Sequence, residues 1–344
     1  MKKAPTIRDV ARQANVSVAT VSHVFNKTRR VTEATRRQVL EAAEQLNYVP
    51  SGIARSLSTH RTNMIGMLVA DATSPYNSMI ITGVETRLWQ HGLSLVVCST
   101  DESVEKESQY LKLLLERRVD GIVVAPTGKP QPVFQEVLQH HIHLIFVDRR
   151  PAEPLGPVVE IDNVRAGYLA TQHLLSLGHR KIALITRDFP LSTVVGRTQG
   201  YLEALGEYGI LPNPAWICGI PADVAAAEQT TGELLSLPDP PTALIAANHI
   251  VTLGALAGLQ RRGIPCPDAI SLIGFDDHPW VAVLTPPLTV INHPFDAICD
   301  AVVDTLLKMT CDNCQDEDLT PPEVYPDTVL PPELIVRQSC KRLE

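Results

Sequence analysis

From Met64 onward, short continuous apolar runs alternate with longer stretches whose apolar positions recur at helical spacing. Runs at 64–70, 93–98, 121–125 and 144–147 read as buried strands, with helices predicted to start at Tyr76, Val104 and Pro132. A second series repeats the scheme: strands at 181–185, 243–247 and 271–275, helices from Val164, Thr193, Ala225 and Ile250. Such alternation predicts parallel sheets covered by helices on both faces. The two series join near Asp162 and the chain returns near Asn292, so two doubly wound subdomains with a cleft between them are expected.

The first 50 residues follow a different rhythm. Ile7, Val10, Ala11 and Ala14 mark one face of a helix, with Thr6 placed to cap it and Asp9 in its first turn. Only a turn fits at Asn15, a residue that tolerates positive φ. Ser17 then caps a second helix on which Val21 and Val24 face the first, leaving Val18, Ala19, Ser22 and His23 outward. A third helix, capped by Thr32, is expected to complete a small core with Val39, Leu40, Ala43 and Leu46. A short helix presenting such an outer face suits a DNA major groove.

Charge sharpens this picture. The net charge is −8, yet residues 1–60 carry ten Lys/Arg against four acids, so this piece is +6 and the remainder −14. Phosphate-neutralising charge is thereby concentrated on the small N-terminal piece.

The run 6–26, Thr-Ile-Arg-Asp-Val-Ala-x-x-Ala-x-Val-Ser-x-x-Thr-Val-Ser-x-Val-Phe-Asn, resembles the DNA-binding head of the LacI/GalR family of bacterial transcription regulators. The likeness continues through Val31-Thr32-Glu33, Leu46-Asn47-Tyr48 and Ala54-Arg55-Ser56-Leu57. It implies an α/β chain: a three-helix helix-turn-helix head (1–50), a hinge (51–61) and a periplasmic-binding-protein-like core (62–344). The core's first subdomain would comprise about 62–161 and 292–325, the second about 162–291 and 326–340. On DNA, Val18 and Ala19 offer only apolar contact, so His23 carries the hydrogen-bonding base readout. Thr6, Ser17, Thr20, Ser22, Asn26 and Arg36 are the expected phosphate contacts. Ala54, Arg55 and Leu57 match the family's hinge helix, whose leucine wedges into the minor groove. Gly52 raises the cost of ordering that segment by roughly 1 kcal/mol relative to alanine.

Ligands of parallel sheets sit beyond the carboxyl ends of strands. That rule selects Tyr76, Asn77, Asp148, Arg149, Thr193, Arg197, Asn248, His249, Asp276 and Asp277. Carboxylates, an amide, guanidinium groups and one aromatic suit a polyhydroxylated ligand. The family resemblance assigns ligand contacts to Asp148, Arg149, Arg197, Asn248 and Asp276. His249 departs from it, standing where relatives usually have aspartate, and so leans the expectation toward a phosphorylated or acidic sugar. Where the purine repressor has an arginine and two stacking aromatics, this chain has Leu191, Asn77 and Ala222.

Other signals are weak. Cys311-x-x-Cys314 lacks a second ligand pair, and His140-His141-Ile142-His143 falls where a helix should end, so neither metal nor cofactor is expected. Seven cysteines without an export signal suggest free thiols, and no apolar run is long enough to span a membrane. A cytoplasmic protein is expected. Phosphate-loop, nucleophile-elbow and zinc-protease motifs are missing, which points away from an enzyme. The C-terminus lacks the leucine heptads that tetramerise some relatives, so a homodimer is expected. The reading is an operator-binding repressor controlled by a sugar or sugar phosphate. The alternatives are an activator of the same fold, or an enzyme or receptor with an appended helix-turn-helix.

Overall fold

The computed structural model describes residues 5–26, 29–49, 61–310 and 325–343. The expected hinge contacts Ala54, Arg55 and Leu57, like Cys311 and Cys314, lie outside the described residues. The chain forms two compact units, Met1–Asn63 and Met64–Glu344.

In the first unit α1 (Ile7–Gln13), α2 (Val18–Asn26) and α3 (Glu33–Gln45) enclose Val10, Ala11, Ala14, Val21, Val24, Val39, Ala42 and Ala43. The Asp9 carboxylate accepts from the Thr6 N–H at 2.9 Å and hydroxyl at 2.7 Å. Asn15 takes φ +46°, and the Ser17 hydroxyl caps α2 by accepting from the Thr20 N–H at 3.0 Å. One expected core position is corrected. Leu40 is 43% exposed, because the stripe of α3 that meets its neighbours runs through 39, 42, 43 and 46, and position 40 lies about 100° from Val39.

The second unit holds two six-stranded sheets. The first orders as β11-β5-β4-β3-β1-β2, from β1 (Met64–Val69), β2 (Ser94–Ser99), β3 (Gly121–Val124), β4 (His143–Val147), β5 (Val158–Ile161) and β11 (Thr328–Leu330). The second orders as β12-β10-β9-β8-β6-β7, from β6 (Ile182–Arg187), β7 (Ile217–Ile220), β8 (Ala243–Ala246), β9 (Ser271–Phe275), β10 (Thr289–Asn292) and β12 (Glu333–Ile335). Among the described residues all pairings are parallel except the antiparallel β10–β12 edge. The inner strands β3, β4, β8 and β9 are almost wholly buried, as helices on both faces require.

Around the first sheet stand α4 (Pro75–Gln90), α5 (Val104–Glu116), α6 (Pro132–Gln139) and α12 (Phe295–Thr310). The second carries α7 (Asn163–Ser176), α8 (Ser192–Glu207), α9 (Val224–Leu235), α10 (His249–Arg261) and the short α11 (Pro279–Ala282). The chain passes between lobes after β5, after β10 and between β11 and β12. Because β11 pairs with β5, the first lobe keeps the chain through Leu330, and the last passage falls at 331–332 rather than the expected 326. The strands β5, β7, β10, β11 and β12, each only three or four residues long, stand outside the expected series.

Helices α7 and α8 meet backbone to backbone through glycine. A Cβ on Gly200 would lie 1.9 Å from the Val164 carbonyl oxygen, and one on Gly167 2.0 Å from that of Arg197. At Gly206, near the end of the same α8, a Cβ would meet nothing within 4 Å. Gly200→Ala is therefore expected to destabilise the protein by about 1–3 kcal/mol through overpacking. Gly206→Ala should instead stabilise it by up to about 1 kcal/mol, through helix propensity. Thermal unfolding of the two variants checks the opposite signs.

Candidate DNA-binding head and ligand cavity

On the head, Val18 is 42% exposed, Ala19 is exposed, and Ser22 and His23 are half-buried on the outer side of α2. The hydroxyl of Ser17 also meets that of Thr20 at 2.8 Å, and the Asn26 amide donates to the Ser22 hydroxyl at 3.2 Å. Several of the expected phosphate ligands thus already stabilise the helix ends they sit on. Arg36 is exposed on the first turn of α3.

In the core, all nine residues expected to meet an effector line a single cavity of about 90 Å³ between the lobes: Tyr76, Asn77, Asp148, Arg149, Thr193, Arg197, Asn248, His249 and Asp276. Asp277 does not line it; its carboxylate accepts from Arg337 at 2.6 Å. Of the three residues set against purines, Leu191 and Asn77 line the cavity and Ala222 does not.

Asp148 and Asp276 each follow the fourth strand of their sheet and each take positive φ, +66° and +71°. A non-glycine residue in that region is uncommon, and it turns the carboxylate out of the strand line. Asp148 accepts from the Tyr76 hydroxyl at 3.0 Å. Burial first, then the charges of Asp148 and Asp276, push the Tyr76 phenol well above its ordinary pKa.

Asp276 is almost fully buried, with Oδ1 2.8 Å from His293 Nδ1 and Oδ2 3.6 Å from His249 Nδ1. Burial works against its charge, but His293 and His249 outweigh that and hold the carboxyl far below the usual carboxylate range. Arg197 places Nη2 3.4 Å from His293 Nε2, so guanidinium, imidazole and carboxylate stand in a row. Its Nε donates to the Asn163 side chain at 3.0 Å and its Nη1 to the Ala247 carbonyl at 2.5 Å, while the guanidinium lies 4.4 Å from the Phe275 ring centre. Burial draws the Arg197 pKa below its usual value, and the carboxylates of Asp148 and Asp276 oppose the shift.

Two expected ligands carry structural duties. Asn248 caps α10 by accepting from the Val251 N–H at 2.9 Å, and the Asn77 amide donates to the Asp71 carbonyl at 2.8 Å. Both residues still line the cavity.

The lobes touch across the cleft. The Ser74 hydroxyl meets His249 Nε2 at 3.2 Å, and the Arg150 N–H donates to the Ser192 hydroxyl at 3.0 Å. Glu102, in the loop after β2, accepts from Arg149 at 2.8 and 2.9 Å and from Arg187 of the other lobe at 2.7 Å. Burial would raise the Glu102 pKa, but these two guanidinium groups bring it down to about 2. Glu102, Arg187 and His293 carry no local sequence signal: β10 is too short to stand out, β6 runs two residues past its apolar stretch, and Glu102 lies three residues beyond β2 in a left-handed turn.

Ser74, His249 and Asp276 follow the order of a nucleophile relay. Two features argue against catalysis by it. The 3.6 Å from His249 to Asp276 exceeds a hydrogen bond, and the residue after Ser74 is Pro75, which has no N–H to receive an oxyanion.

Residues 6–51 match the family described as bacterial regulatory proteins, lacI family, and residues 171–340 match the periplasmic binding protein-like domain. The chain is 35% identical to the HTH-type transcriptional repressor PurR of Aliivibrio salmonicida (strain LFI1238), over 98% of this chain and 99% of that one. To the PurR of Vibrio vulnificus (strain CMCP6) it is 36% identical over the same shares. Among solved structures, the lac repressor dimer bound to operator and the anti-inducer ONPF superposes with a TM-score of 0.84 at 27% identity, covering 98% of this chain and 100% of that one. The transcriptional regulator CelR–cellobiose complex gives 0.71 at 28%, covering 97% and 99%. With a matching head, a matching core domain and relatives above 30% identity along nearly its whole length, the chain belongs to the lacI family of bacterial regulatory proteins.

Proposed function

We propose that the protein is a transcriptional repressor that binds a pseudo-palindromic operator as a homodimer, its operator affinity set by a small, neutral, polyhydroxylated effector held between the lobes. The repressor reading rests on the family and on relatives named as repressors. The base contacts would be Val18, Ala19 and His23, with Thr6, Ser17, Thr20, Ser22, Asn26 and Arg36 on phosphates. Effector binding would alter lobe closure and, through the linker at 51–61, the pairing of two heads on DNA.

The observation that carries the effector class is the charge balance. The guanidinium groups of Arg149, Arg187 and Arg197 and the carboxylates of Asp148 and Asp276 line the cavity, and His249 and His293 stand against Asp276. Glu102, outside the lining, completes three carboxylates against three guanidinium groups by pairing with Arg149 and Arg187. A neutral ligand leaves that balance intact, while hydroxyls can donate to the aspartates and accept from the arginines. This moves the reading from an acidic sugar toward a neutral one. A flat purine is less well served: the Tyr76 ring stands edge-on to His293 at 5.1 Å between centres, and Arg197 covers Phe275. A solved lacI-family regulator from Enterococcus faecium with bound ribose, 29% identical with a TM-score of 0.72, fits the same class of ligand.

The effector is tested by thermal unfolding against neutral pentoses and hexoses, their phosphates, and purines. A neutral sugar is expected to raise the melting temperature, since a ligand of the folded state alone must do so, and Asp276→Ala should abolish the rise. A response confined to purines would overturn the sugar reading. On the head, His23→Ala is expected to cost about 1–3 kcal/mol of discrimination at one base pair per half-site. Operator titrations with single-base variants check this, and an equal loss on every sequence would make His23 a phosphate contact instead.

A further inference from the structure

Glu102 occupies a costly position. It and Asp101 are consecutive non-glycine residues at positive φ, +58° and +51°. The turn is fixed on both sides: the Asp101 N–H donates to the Ala70 carbonyl at 2.7 Å, and Ser103 caps α5 by accepting from the Lys106 N–H at 3.2 Å. This backbone delivers one carboxylate to two guanidinium groups from different lobes. The side chains of Arg149 and Arg187 are only 11% and 16% exposed, so each gains little from water. Arg187 Nε is buried without an acceptor of its own.

We propose that Glu102 sets the charge selectivity of the cavity: by holding Arg149 and Arg187 it excludes anionic ligands and reserves the site for neutral ones. The proposal rests on the reading of this cavity as the effector site. Without the Glu102 charge, three guanidinium groups would stand against two carboxylates. Both of those are engaged, Asp148 by Tyr76 and Asp276 by His293. Arg149 and Arg187 would then form a fork suited to a phosphate or a second carboxylate.

The test is calorimetric titration of the full chain with inorganic phosphate at constant ionic strength. Glu102→Gln is expected to bind phosphate about tenfold or more tighter than the unaltered protein. Glu102→Gln combined with Arg187→Gln restores the balance of two against two and should return phosphate binding to the unaltered level. Glu102→Asp is too short to reach both arginines, so it should move binding in the same direction by less, and it replaces Glu102→Gln if that variant fails to fold. Equal phosphate binding by the unaltered and Glu102 variants would overturn the proposal, as would a double variant that binds as tightly as Glu102→Gln. Neutral sugars titrated into the unaltered protein keep the two readings separable. A sugar response with unchanged phosphate selectivity removes only the role of Glu102. A phosphate gain without any sugar response removes only the neutral-sugar reading.

Discussion

The core is arranged around a buried negative charge. Asp276 has almost no access to water and must be compensated where it stands, since an unpaired buried carboxylate would cost several kcal/mol. Its partners come from elsewhere in the second lobe and its exits: His293 from the passage after β10, His249 from the first position of α10, and through His293 the guanidinium of Arg197 on α8. Arg197 reaches that place because α8 lies against α7 with no side chains between them at Gly167 and Gly200. A helix contact without Cβ atoms is thus a condition for the electrostatics of the cavity, a dependence that no single residue type announces.

The same geometry explains what could be read beforehand. Continuous apolar runs identified the inner strands, because strands buried on both faces cannot hide their composition. Of the ten residues that the carboxyl-end rule selects, nine share one cavity and Asp277 does not. The strands without such a signal are short: β7, β11 and β12 are sheet edges, and β5 and β10, though buried, run for only four residues. Val158–Ile161 includes Glu160, whose carboxylate accepts from Arg150 at 2.7 Å, so a charge interrupts what would otherwise read as a strand. The role of Glu102 depends on two arginines, one 47 and one 85 positions further along the chain, and on left-handed backbone at a position where neither residue is glycine. Local pattern carries no trace of either.

The head was more legible because its contacts are short-range. Caps, turn and core of α1 and α2 all fall within 21 residues, and the spacing of Val10, Ala11, Ala14, Val21 and Val24 suffices to orient both helices. The third helix joins from further away, and there one expected core position, Leu40, gives way to Ala42.

Asp148 and Asp276 hold the same address in two halves of like design: fourth strand, first residue beyond it, left-handed backbone. Two matching jaws facing one gap behave as a caliper. A molecule that spans the gap touches both jaws and fixes their separation, whereas a shorter one can rest against only one. With an effector held as proposed, such a site would weigh the length of its guest as much as its chemistry, and the spacing of the jaws would be the quantity that the rest of the protein could sense.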